Sequence, residues 1–238
     1  MNALWVTRMS AYKNSGLALE TARKIVQIKI ERQAALLKKH KRPVADSRIN
    51  LTSSLSEVFL EEARMAKKYW LQFSKLLPKN LNFINRKPRG LDIVNSLLDV
   101  GYHHLTNEVK KMLGKLDVSP SLALLHVARS SKSAPLAYDL VEMFRADIVD
   151  AEILRFLRLK KKTPQKAEDE IAHFLHEVNQ RLERKHYLKE FKTCHTYRYY
   201  MEVQILKFIK AVNHKEVFIP LKLPSRHENR CLDSLNKV

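Results

Sequence analysis

The chain has 238 residues, with 44 Lys and Arg against 25 Asp and Glu and a formal net charge of +19. Its 4 glycines, roughly a quarter of the ~7% that is usual, exclude a strand-rich sandwich or barrel, whose hairpins use glycine at positive φ. They stand apart at Gly16, Gly90, Gly101 and Gly114, which excludes a Gly-rich phosphate loop, and 45% hydrophobic residues exclude disorder.

Residues 1–15 read as a leader or linker. From Leu17 to about Lys39, Leu19, Ala22, Val26, Ile30, Ala34 and Leu37 recur at helical spacing. That helix ends before Arg42-Pro43, because the residue ahead of proline disfavours the α conformation. A second helix starts near Ser53-Ser54, with Ser54 and Glu57 at capping-box spacing, and runs to Leu77 before Pro78. Glu62 falls within its apolar stripe of Leu55, Val58, Ala66, Tyr69 and Phe73, whereas Glu61 faces away.

A loop from Pro78 to Gly90 leads to a third helix, Leu91 to about Leu116. A short apolar piece, Leu122–Leu125, ends in His126. Pro135 suits the first position of a fourth long helix reaching Arg158. The run Lys160–Lys162 and Pro164 separate it from a helix over residues 165–187. A last helix spans about Thr196–Asn213, a short extended piece covers Glu216–Leu221, and residues 222–238 read as a basic polar tail. The expected class is all-α: one domain of about six long helices over residues 16–221.

The charge is uneven. Residues 1–50 carry +8, residues 51–180 carry +4 and residues 181–238 carry +7. Basic ends around a middle that holds most carboxylates point to a polyanion such as DNA or RNA, since each phosphate neutralised releases counterions. The alternatives are a merely soluble basic surface and attraction to anionic lipid. Cys194 and Cys231 have neither zinc-ribbon nor disulfide-framework spacing, and no apolar run approaches membrane-spanning length, so a cytoplasmic location is expected.

Four residues are candidates for chemistry. Glu62 interrupts an apolar face, Asp139 and Glu142 are neighbours on one helix surface, and His126 closes an apolar segment before a loop. Carboxylates with an imidazole suit Mg²⁺ or Mn²⁺. Against this, a stripe glutamate is often paired with an arginine such as Arg64 or Arg145, and an acidic pair three apart is often a solvated face. Spacing alone leaves these readings open.

Five segments in order carry a resemblance over about residues 16–221. Residues 16–33 contain Ala22-Arg23-Lys24-Ile25-Val26-Gln27-Ile28-Lys29-Ile30. Glu62-Ala63-Arg64-Met65-Ala66-Lys67-Lys68-Tyr69-Trp70 follows the pattern E-G-x-x-A-R-x-Y-W/F. Arg86 to Tyr102 follows R-x-P-P-x-D-P-V-N-x-L-L-x-x-G-Y, Leu122 to His126 follows L-G-F-L-H, and Leu136 to Asp150 follows L-A-x-D-L-x-E-x-F-R-P-x-V-x-D. Tyr197-Arg198, Gln204 and Phe218-Ile219-Pro220 fit the family's Y-R, Q and Y-x-P. The sequence thus resembles the helical catalytic domain of the CRISPR-associated integrase/endonuclease family, Cas1. It departs at Ala63 for Gly, Lys67 for Arg and Gly90-Leu91 within the P-P step, and because the resemblance starts at the helices the family's β-rich N-terminal domain is expected to be missing.

The resemblance implies metal ligands at Glu62, His126 and Glu142, with Asp139 as a supporting carboxylate, and Mg²⁺ or Mn²⁺ as cofactor. It implies CRISPR adaptation: the 3′-hydroxyl ends of short spacer duplexes join the repeat array by direct transesterification. The alternatives are a non-catalytic DNA-end scaffold and a metal-dependent endonuclease that uses water. Arg86, Arg89, Arg129 and Lys132 flank the ligands as candidate phosphate contacts, and Lys38, Lys39, Lys41 and Arg42, with Lys160–Lys162, extend a basic track. The expected partners are double-stranded DNA and further copies in a homodimer or homotetramer, because two ends must be joined. The family's small companion, Cas2, is left open.

Overall fold

The computed structural model describes residues 3–44, 46–50, 53–128, 130, 133–159, 167–188 and 190–221. Among them, eight α-helices and a single two-stranded hairpin confirm the mostly helical class. Arg129, Lys132, Lys160–Lys162 and the tail from residue 222 lie outside the described residues.

Helix α1 (Ala3–Lys13) replaces the expected leader. Its Trp5, Met9 and Tyr12 are buried. Trp5 Nε1 donates to the Ser119 carbonyl at 3.1 Å, and the Tyr12 hydroxyl donates to the Glu216 carbonyl at 2.7 Å. These partners lie more than a hundred residues away, so local periodicity carries no sign of them. Helix α2 (Gly16–Lys39) buries Ala22, Ile25, Val26 and Ile30 and packs along α3 (Leu55–Ser74). The α3 cap forms as its spacing predicts: the Ser54 side chain accepts from the Glu57 amide at 3.2 Å.

Helix α4 (Ile93–Lys115) starts at Asp92, whose carboxylate accepts from the Asn95 amide at 2.9 Å. It runs through the core against α5 (Pro135–Val141), and Gly101 permits the close approach of Val149 and Phe174. A Cβ at that position would stand 2.6 Å from Cγ1 of Val149 and 3.2 Å from Phe174.

The expected fourth long helix is broken. After α5 come a turn and a π-helical segment, Ala146–Asp150, before α6 (Ala151–Leu159). A π-bulge adds a residue to the turn and re-aims its successive side chains. Here it sends Asp150 to Tyr69 and Tyr102, while Asp147 meets Arg32 and Tyr197. Ile148 and Val149 remain buried in this segment.

Helix α7 (Ala167–Leu182) is shorter than expected. The hairpin β1 (Lys185–Leu188) and β2 (Thr193–Thr196) follows, antiparallel, with Lys185 opposite Thr196 and Leu188 opposite Thr193. Cys194 on β2 is not a free thiol, which corrects the expectation that neither cysteine enters a disulfide. Helix α8 (Tyr197–His214) is capped by Thr196, and buried Phe218 and Leu221 anchor the segment after it. No helix among the described residues is long and apolar enough to cross a membrane.

Candidate active site

Three parts of the chain meet at one lysine. Lys29 lies on α2 at i+4 from Ile25 and i+3 from Val26, on the buried stripe of that helix. Its Nζ is 2.5 Å from Glu62 Oε1 on α3 and 2.7 Å from Glu142 Oε2, just beyond α5. Arg145, one turn further, places NH1 2.5 Å from Glu142 Oε1. The Arg145 guanidinium also lies over the Tyr102 ring, 4.6 Å from its centroid. Glu142 is therefore held between two cations. Burial alone would raise its pKa, but Arg145, Lys29 and His126 outweigh that and hold it at about 2. Burial likewise lowers Lys29, and Glu142 and Glu62 overcome it, so its net shift is upward.

Asp139 has a different task. It is fully buried, and its Oδ2 accepts from the backbone amides of Leu124 at 2.7 Å and Leu125 at 2.9 Å. Its Oδ1 accepts from the His126 amide at 2.9 Å and stands 2.8 Å from His126 Nδ1. Both oxygens are thus committed to the loop that carries the histidine. Asp139 acts through His126, fixing the imidazole by Nδ1 while the ring remains 39% exposed.

The four sequence candidates consequently fall into two linked pairs: Glu62 with Glu142, bridged by Lys29, and His126 with Asp139. Their elements are adjacent because α2 packs on both α3 and the π-helical segment. Among the described residues no three His, Cys, Asp or Glu side chains form a group ready to hold a metal. Lys29 stands between the two glutamates instead.

The donor chemistry nevertheless fits a divalent cation. Two carboxylates and an imidazole match Mg²⁺ or Mn²⁺, and a carboxylate behind the distal imidazole nitrogen is the usual support for a metal-ligating histidine. Glu142 Oε2 is also buried without an aligned hydrogen bond, although Lys29 Nζ is within ion-pair distance of it.

Lys29 was not among the sequence candidates, and the alternative weighed for Glu62 was an arginine partner, Arg64 or Arg145. Arg64 in fact pairs with Glu61 at 2.7 Å, and Arg145 pairs with Glu142. The available signal was a lysine on the largely apolar buried stripe of α2.

The proposed phosphate contacts divide. Arg86 is drawn into structure, with NH2 2.5 Å from Asp99 Oδ1 and NH1 donating to Asn95 at 3.1 Å. Arg89 is exposed, with its backbone amide donating to Asp99. Lys38, Lys39 and Lys41 are exposed around the C-terminal end of α2, while Arg42 donates to Gln72 at 3.0 Å.

Behind the site lies a second buried acid. Asp150 accepts from the Tyr69 hydroxyl at 2.7 Å and from the Tyr102 hydroxyl at 2.6 Å. Burial raises its pKa to about 6, against the lowering effect of both hydrogen bonds. The protonated form is therefore favoured on folding, and this contribution to stability is lost as pH rises through 6. Between pH 4.5 and 7.5 the wild-type chain should lose about 2 kcal/mol that an Asp150→Asn variant does not lose. Urea unfolding of both proteins at several pH values checks this; parallel pH profiles would refute it. Glu142 changes oppositely, losing its contribution only as pH falls below 4.5 towards 2, outside that window.

The comparisons agree on one family. A model of the family "CRISPR associated protein Cas1" matches residues 2–193. The CRISPR-associated endonuclease Cas1 1 of Archaeoglobus fulgidus is 34% identical over 114 residues, covering 45% of this chain and 33% of that protein. The Cas1 1 endonuclease of Thermus thermophilus is 31% identical over 157 residues, covering 63% and 49%. The chain spans about a third to a half of the length of these curated relatives.

Two solved structures share the fold. The Cas1 protein of Thermotoga maritima has a TM-score of 0.79 at 20% identity, over 90% of this chain and 72% of that one. A casposase bound to an integration product has a TM-score of 0.77 at 20% identity, over 100% and 75%. With most of its length matched by the family model and its helices arranged as in these structures, the chain belongs to the CRISPR-associated Cas1 family.

Proposed function

We propose that the chain is the catalytic part of a divalent-metal-dependent DNA integrase, joining the 3′-hydroxyl ends of short duplexes to a repeat phosphodiester. The observation that carries this is the convergence of Glu62 and Glu142 on one cation position, beside a His126 oriented by a buried carboxylate. Mg²⁺ or Mn²⁺ held by Glu62, Glu142 and His126 would polarise the phosphodiester and stabilise charge on the attacking and leaving oxygens. Arg145 keeps Glu142 ionised and in place, and Asp139 sets the tautomer and direction of His126. Exposed Lys38, Lys39, Lys41 and Arg89 supply sequence-independent attraction to the DNA backbone.

The casposase that shares the fold is described with an integration product, and a TtCas1 with DNA, which supports DNA as the substrate class. A Cas6-RT-Cas1–Cas2 complex is a further neighbour in fold, which supports Cas2 as a partner of the assembled enzyme. Joining two ends requires two active sites, so a homodimer or larger assembly is proposed.

A strand-transfer assay with end-labelled short duplexes and a repeat-containing target tests the reading. Joined product should form with Mn²⁺ or Mg²⁺ and disappear with EDTA and in His126→Ala. Hydrolysed product without joining would identify a nuclease that uses water. Metal-independent DNA binding with neither product would identify a scaffold.

A further inference from the structure

We propose that Lys29 is the resident counter-ion of the Glu62–Glu142 pair and that a divalent metal loads by exchange against its ammonium. The inference rests on the metal-dependent reading above and adds a residue that sets metal affinity without being a ligand.

The geometry carries it. Lys29 reaches one glutamate from each of two other elements, at 2.5 Å and 2.7 Å, and is the group that joins them. Its side chain is only 13% exposed, and that of Glu142 only 8%. Two carboxylates brought together at such burial repel unless a cation lies with them. The ammonium is the compact positive charge that prevents this.

The two cations at Glu142 are not equivalent. Arg145 is fixed by its ion pair to Oε1 and by the Tyr102 ring beneath its guanidinium. Lys29 faces the other oxygen, Oε2, at 2.7 Å and shares its ammonium with Glu62. A four-carbon flexible stem lets the ammonium withdraw without moving α2, whereas a planar guanidinium in a fork is less free. Lys29 is therefore the charge that can yield. It keeps the acidic pair assembled in the absence of metal, and it weakens metal binding by competing for the same oxygens.

The test uses the full chain with Mn²⁺ as the probe, titrated by calorimetry and followed by thermal melting with and without the ion. Lys29→Met should melt lower than wild type in EDTA, because Glu62 then loses its ion pair and Glu142 keeps only Arg145. The same variant should bind Mn²⁺ at least about tenfold more tightly, with a larger Mn²⁺-induced rise in Tm than wild type. Lys29→Gln supplies the same comparison should the methionine variant fail to fold without metal. Equal or weaker Mn²⁺ affinity in a folded Lys29 variant, with wild type binding normally, would overturn the exchange while leaving the metal site standing. Absence of Mn²⁺ binding in both wild type and variants would instead remove the metal site, and the exchange with it.

Discussion

Glu142→Gln is expected to lower strand transfer by at least about 100-fold, the scale set by losses of groups that merely support metal ligands. The substitution preserves the shape of the side chain and removes its charge. In the wild type that charge faces Lys29 on one oxygen and Arg145 on the other, which hold its pKa at about 2 despite burial. A neutral amide cannot balance either cation and is a weaker ligand for a divalent ion. Some stability is lost as well, since Arg145 then lacks its carboxylate, while Lys29 keeps Glu62. Rates of joining should therefore be measured with a melting curve beside them. A folded Glu142→Gln protein with wild-type joining rates would remove this residue from the catalytic set.

Asp139→Ala should produce the largest loss of stability of any single change at the site, about 3–5 kcal/mol. Its carboxylate is fully buried and accepts three backbone amides, with His126 Nδ1 as a fourth contact. Alanine leaves the amides of Leu124 and Leu125 buried with no acceptor, and the cost of an unmet donor exceeds the value of the bond it made. For a chain of this size the melting temperature should fall by roughly 10 °C. Asp139→Asn, which keeps one acceptor oxygen, should lose less. Activity should fall in both variants, because the loop that presents His126 no longer has a fixed form. A loss below about 1 kcal/mol in Asp139→Ala would show that the loop is held by other contacts.

The two variants separate two jobs that the sequence presents together. Asp139 and Glu142 are three residues apart and read as one acidic pair on one helix face. In the structure the helix ends at Val141, so Glu142 belongs to a turn, and its carboxylate meets Lys29 and Arg145. Asp139 remains on α5 and looks into the loop before it. Spacing indicated proximity along the chain but not the division of roles, which depends on where α5 stops and the π-helical segment begins.

Much of the fold was legible because it is written in local periodicity. The apolar stripes of α2, α3 and α4, the Ser54 cap and the Pro135 start all depend on residues within a few turns of one another. What escaped depends on distant partners. Helix α1 is held by Ser119 and Glu216, each more than a hundred residues away. Arg86 shows the same limit on the functional side: its position near the ligands suggested phosphate, and Asp99 and Asn95 instead draw it into the loop.

By itself the sequence determined a basic, glycine-poor, helical chain with most of its carboxylates in the middle, and its resemblance to a family singled out four candidate side chains. Periodicity and composition suffice for the helical class and the charge distribution, since each is a property of neighbours, while the four side chains stood out together only through the resemblance. Only the tertiary structure decided which of those side chains share a charge. Packing of α2 against α3 and the segment after α5 brings Lys29 between Glu62 and Glu142, and electrostatics at that burial requires a cation between them.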